Sequence, residues 1–139
     1  MKLNYFSKTV VGMVRKANED SIGHITTPNK SNINVHIVCD GMGGHIGGAK
    51  ASNIAVNSIR EYFLNTPNPV PQVALKEAIC FANLQIFGAA QAEPEFKGMG
   101  TTCTILLESE GLIYIAHVGD SRIYIHTDKK LYRITKDHS

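Results

Sequence analysis

Val38-Cys39-Asp40-Gly41-Met42-Gly43-Gly44-His45-Ile46-Gly47-Gly48 decides how the rest of the chain is read. It overlaps a β-branched run of strand length, Ile33 to Cys39, and apolar residues at helical spacing follow it from Ala49 to Leu64. Asp40 therefore sits where a buried strand ends. Five of the eight residues after it are glycine, too many for the interior of a helix or strand, so the loop approaches something closely or uses positive φ. No Gly-Lys-Ser/Thr closes the run, which excludes a P-loop, and a dinucleotide fingerprint gives no reason for the leading aspartate. A carboxylate beside exposed backbone carbonyls is a hard-oxygen donor set, suited to Mg²⁺ or Mn²⁺ rather than zinc. Taken alone, the stretch is equally compatible with a plain Asp-Gly turn.

Upstream, Leu3 to Thr9 alternates weakly, which predicts an opening strand and then a turn at Val11-Gly12. Ser21 to Ile25 predicts the next strand, and the loop Thr26 to Asn32 joins it to the Ile33–Cys39 strand as a hairpin. That hairpin brings Glu19 and Asp20 back beside Asp40.

Downstream, the Ala49–Leu64 helix turns a polar face of Lys50, Asn53, Asn57 and Glu61 to solvent and stops before Pro67. A second helix runs from Val73 to about Ala92, with Leu75, Ile79, Ala82, Leu84, Ile86 and Phe87 available for the core, and packs antiparallel to the first. Thr101–Leu107, Leu112–Val118 and Arg122–His126 read as a meander of antiparallel strands, with turns at Glu108–Gly111 and Asp128–Lys130. A tight turn, Gly119-Asp120, places another carboxylate between two of them. Strands, a helix pair and more strands make an α+β layer architecture rather than a parallel βαβ sheet.

The 139 residues are 43% hydrophobic and 19% charged, the range of one globular domain. A net charge of +2 without a basic run offers no footing for nucleic acid or an anionic membrane. The apolar runs are strand-sized and the first residues lack a signal-peptide core, so a cytoplasmic address is expected. Cys39, Cys80 and Cys103 are odd in number and lack Cys-x-x-Cys spacing, which reads as three buried small hydrophobes. His24, His36, His117, His126 and His138 show no metal-ligand spacing and read as structural, and Met13, Met42 and Met99 read as loop packing.

Four ordered motifs, Arg15-x-x-Asn18-Glu19-Asp20, Asp40-Gly41-Met42-Gly43-Gly44-His45, Gly98-Met99-Gly100-Thr101-Thr102 and Val118-Gly119-Asp120-Ser121-Arg122, resemble those of the bacterial metal-dependent protein phosphatases of type 2C. The closing Ile134–Ser139 segment is similar as well, so the resemblance spans nearly the whole chain. It implies an α-β-β-α sandwich, antiparallel β layers flanked by an antiparallel helix pair, and an enzyme that hydrolyses phosphoserine and phosphothreonine without a covalent intermediate. Implied cofactors are two Mg²⁺ or Mn²⁺ ions with a third, weaker one. Implied partners are a phosphorylated protein substrate and a cognate Ser/Thr kinase or its targets.

Position by position, the resemblance makes Asp40 the carboxylate that bridges two metals and Gly41 a backbone-carbonyl ligand. Glu19 and Asp20 become holders of metal-bound water, Asp120 a ligand of the third ion, and Arg15 the phosphate grip, whose planar fork of donors matches phosphate oxygens. His45 becomes a proton donor to the leaving alkoxide. Two alternatives remain open on the residues themselves: Arg15 pairs with Glu19 as a surface ion pair, and Asp120 caps its turn and pairs with Arg122. The family's later Asp-Gly and Asp-Asn metal motifs have no counterpart here, so residues 1–139 read as the N-terminal part of such a domain. With those carboxylates missing, the fragment is expected to be weakly active or inactive, with open strand edges prone to self-association. The alternative function is a non-catalytic phosphatase-like module that binds a phosphoprotein or a regulatory partner.

Overall fold

The computed structural model describes residues 3–27, 32–44 and 46–139. Strands β1 (Asp20–Thr26) and β2 (Asn34–Met42) form an antiparallel hairpin in which Asp20 opposes Asp40 and Thr26 opposes Asn34. The predicted hairpin is thus present in the register that gathers the acidic residues. Part of its connecting loop, 28–31, lies outside the described residues.

After helices α1 (Gly47–Asn65) and α2 (Pro71–Ala92), the chain returns as β3 (Gly100–Thr101), β4 (Cys103–Ser109) and β5 (Leu112–Val118). Four strands lie side by side in the order β1-β2-β4-β5, and β3 pairs with the end of β2. Strands β6 (Tyr124–Thr127) and β7 (Lys130–Arg133) make a separate two-stranded ladder, so the second strand of that hairpin lies where the sequence shows only the end of a turn.

Period-two alternation decides which side of the sheet is covered. Val35, Ile37, Cys39, Ile105 and Leu107 point to one face and are at most 1% exposed, packed against Ala55, Ile59 and Phe63 of α1 and Leu75 and Ala78 of α2. The polar face foreseen for α1 is the exposed one. Pro71 opens α2 at a position whose missing N–H costs no helical hydrogen bond.

Helix α2 packs through Ala74, Ala78 and Ala82, spaced four apart, so the small-residue stripe fixes its rotation. Leu84 and Phe87 are consequently 66% and 62% exposed, against the expectation that they enter the core. By length and a mean hydropathy of 1.3, α2 is apolar enough to cross a membrane, which corrects the reading that no such stretch exists. Its alanine stripe is packed on α1.

Other expectations fail for local reasons. Leu3 to Thr9 is not a strand, because its backbone enters no ladder; the segment instead leans on the open sheet face, where Tyr5 stacks on His24 (4.3 Å between ring centroids) and lies tilted against His36 (4.7 Å). Cys80 is exposed on α2, unlike Cys39 and Cys103. Met99 is buried against Ala51 and Phe96, whereas Met13 and Met42 are exposed.

Candidate functional site

The site forms where β1 begins and β2 ends. The Gly41 N–H donates to the Glu19 carbonyl (3.1 Å), which makes Glu19 and Gly41 the hydrogen-bonded pair and Asp20 and Asp40 the adjacent non-hydrogen-bonded one. Side chains in such pairs stand closest. Two carboxylates directly opposite are mutually repulsive, so this arrangement favours a shared proton or a cation between them. Partial burial, then the charge of Asp20 and a hydrogen bond with it, hold the Asp40 carboxyl above the usual carboxylate range. Asp120 and Glu19 push in the same direction, which places the four acidic side chains in one electrostatic neighbourhood.

The backbones of Asp20, Glu19 and Asp40 are each held by a hydrogen bond. Asn18 Oδ1 accepts the Asp20 N–H (3.0 Å), the local turn that an Asn two residues ahead of a strand start makes. The Glu19 carbonyl also accepts the Ser52 hydroxyl (2.7 Å) from α1, and Ser52 shares a 2.8 Å hydrogen bond with Ser21. The Glu19 side chain lies over Gly48 in the first turn of α1, where a Cβ would come 2.9 Å from its carboxyl carbon. Negative charge is favoured there, because the first-turn N–H groups lack helical partners. Gly41 is sealed more tightly, since a Cβ on it would meet the Gly48 carbonyl oxygen at 1.9 Å. Two of the five glycines thus allow strand and helix to touch. Gly43 and Gly44, at φ +132° and +67°, supply the positive-φ turn between them.

Thr102 is the residue that sequence reasoning missed. Its N–H donates to the Asp40 carbonyl and its Oγ1 accepts the Asp40 N–H, both at 2.9 Å, while Oγ1 shares a 2.7 Å hydrogen bond with Ser121 beside Asp120. The Thr101 hydroxyl donates to the Thr102 carbonyl (2.9 Å), so Asp40 turns to the side chain and the predicted continuous strand is broken at Thr102. The doubled threonine was the available signal.

Arg15 is exposed and lines an open cleft of about 800 Å³ together with Asn18, Glu19, Asp20, Asp40, Gly41 and Gly43. Neither pairing alternative holds: the one ion pair among the described residues joins Arg122 to Asp137, through hydrogen bonds of 3.0 and 2.7 Å, leaving Glu19 and Asp120 out of it. That bond with Arg122 holds the Asp137 carboxyl below its ordinary range. His45 lies outside the described residues. His117 hydrogen-bonds to the Thr104 hydroxyl through Nδ1 (3.1 Å) and to the Lys136 carbonyl through Nε2 (3.2 Å), and His138 Nδ1 accepts the Gly119 N–H (3.2 Å).

The donor chemistry suits a hard divalent cation in kind, with carboxylates of Asp20 and Asp40 paired across a ladder and the Gly41 backbone beside them. It is short in number. Among the described residues no three His, Cys, Asp or Glu side chains converge on one ion position.

A sheet with a helix pair on one face and an acidic strand end in a cleft that Arg15 also lines is an α+β layer domain. The model of the family described as Protein phosphatase 2C matches residues 14–139, and the chain belongs to that family. A serine/threonine phosphatase stp of Listeria welshimeri is 36% identical over 136 residues, covering 95% of this chain and 53% of its own length. The crystal structure of the serine/threonine phosphatase Stp1 from Staphylococcus aureus superposes with a TM-score of 0.82 at 37% identity, over 92% of this chain and 51% of that one. The catalytic domain of PstP, solved in complex with two manganese ions, gives 0.77 at 33% identity, over 91% and 52%. The chain spans about half the length of these relatives.

Proposed function

We propose that residues 1–139 form the N-terminal part of a Ser/Thr protein phosphatase domain and carry the bridging-carboxylate half of its metal site. The observation that carries this reading is the Asp20–Asp40 pair, two like charges set at the closest approach an antiparallel ladder allows. Such a pair destabilises the bare fold and is offset by a cation. Asp40 and the Gly41 carbonyl would hold Mg²⁺ or Mn²⁺, with Glu19 and Asp20 orienting bound water and Asp120 facing a further ion. Bound divalent ions supply Lewis acidity and lower the pKa of a water.

The chain's own residues do the rest. Arg15, exposed on the cleft rim, presents its fork to the phosphate oxygens of a phosphoserine or phosphothreonine side chain. His45 is proposed from its motif position as the group that gives a proton to the departing serine or threonine oxygen. Thr102 and Ser52 fix the backbone of Asp40 and Glu19, so the carboxylates are aimed before anything binds.

On this reading the 139-residue chain binds one divalent ion weakly and turns over poorly, because its donor set is incomplete. A chain extended through the remaining length of its relatives is expected to hydrolyse p-nitrophenyl phosphate with Mn²⁺, and Asp40→Asn to lower kcat by about a thousandfold or more. Near-normal turnover by that variant would remove Asp40 from the metal role. Calorimetric titration of the short chain with Mn²⁺ separates binding from turnover.

A further inference from the structure

On the helix-covered side of the sheet, β2 and β4 bring two thiols face to face. The β2–β4 register runs from Asn34 opposite Glu108 to Val38 opposite Thr104, and β2–β3 pairing resumes at Gly41 opposite Thr101, so Cys39 stands opposite Cys103. The Thr102 N–H bond to the Asp40 carbonyl makes residues 40 and 102 a hydrogen-bonded pair. Ladder pairs alternate, so Cys39 and Cys103 occupy a non-hydrogen-bonded pair, where Cα atoms are about 4.5 Å apart. That separation lies within the span that a disulfide bridges, roughly 4.4 to 6.8 Å. Both cysteines are free, and they are 0% and 7% exposed.

We propose that Cys39 and Cys103 are a redox modification site, closing to a reversible cross-strand disulfide that staples β2 to β4. The oxidant is hydrogen peroxide. The sulfur of Cys103, the less buried of the two, attacks one peroxide oxygen as a thiolate; the O–O bond breaks, one water leaves, and a sulfenic acid remains. The sulfur of Cys39 then attacks the sulfenic sulfur, the S–O bond breaks, and the departing hydroxide takes the Cys39 proton as a second water. Two thiols and one peroxide thus give one disulfide and two waters. Burial limits access, which makes the site slow and protects its disulfide from bulky reductants. The staple brackets the Asp40–Thr102 pair without touching the acidic cleft, and it does not depend on the phosphatase reading.

The test uses the native 139-residue chain carrying Cys80→Ser, which removes the exposed thiol and with it intermolecular pairing. After prolonged hydrogen peroxide treatment, the protein is unfolded, alkylated with N-ethylmaleimide and weighed intact. The expected product is lighter by two hydrogen atoms, takes up no alkyl group, and recovers two alkylation sites after dithiothreitol. Its melting temperature rises by several degrees on oxidation, because the closed loop restricts the unfolded chain, and this shift is absent with Cys39→Ala or, if that variant does not fold, Cys103→Ser. Two thiols still alkylatable after peroxide, or oxygen added to a single cysteine with no loss of hydrogen, overturns the proposal.

Discussion

The two faces of the β1-β2-β4-β5 sheet come from the same strands and have opposite characters. Toward the helices, Val35, Ile37, Ile105 and Leu107 are sealed from water. On the other side, Asp40, Val38 and His36 of the same strand are exposed or half-exposed, with charge at one end and stacked rings at the other. One face supplies the cohesion and the other the chemistry, and alternation along a single strand keeps them apart. Asp40 is held in place by a face it does not share.

The largest way to break that division is at the junction of strand and helix. Gly41→Ala puts a methyl group into the backbone of Gly48 and Glu19, none of which is a side-chain end able to swing aside. We expect a loss of about 3 kcal/mol or more in urea unfolding. Gly23→Ala meets side-chain atoms alone, Val56 Cγ1 nearest at 2.6 Å, and serves as the milder control.

A neighbouring pair on β2 measures the contrast directly. Ile37→Ala opens a cavity in the covered face and is expected to cost about 2–5 kcal/mol. Val38, 47% exposed on the other face, should cost under about 1 kcal/mol as Val38→Ala. Equal losses at the two positions would mean that the second face is sealed as well.

The smallest effect concerns pH. Burial and then the cross-strand His24 hold the His36 pKa below its ordinary value, with Glu108 pulling the other way and the Tyr5 ring tilted against it. The unfolded chain therefore takes up a proton near the unperturbed pKa of about 6.5 while the folded chain resists it. Stability rises with pH through that window and declines as pH falls from about 6.5 to the depressed folded value. His36→Phe should flatten this slope in unfolding curves collected on both sides of pH 6.5, and an unchanged slope would assign it to other groups.

How much of this was legible depended on whether a residue's fate is local. The hairpin that opposes Asp20 to Asp40 follows from strand pattern and loop length, and it is present in the structure. The helices followed from periodicity for the same reason. Leu3–Thr9 alternates too, if weakly, but a strand needs a partner edge, and alternation carries no information about one. Leu84 and Phe87 were misplaced because an alanine stripe, a weak hydropathy signal, sets the rotation of α2. Thr102 was invisible as a positioning residue because its role depends on two carbonyl and amide groups contributed by Asp40, distant in sequence.

Thr102 also illustrates how narrow the choice of side chain becomes at such a place. Its hydroxyl meets the Asp40 amide and Ser121, while its methyl lies so close to Gly119 that a Cβ there would fall within 2.6 Å. Serine keeps the first contact and loses the second; valine does the reverse. Threonine alone among the twenty carries both groups on one carbon, so position 102 has no conservative replacement, and any exchange there loosens either the strand that ends in Asp40 or the turn that presents Asp120.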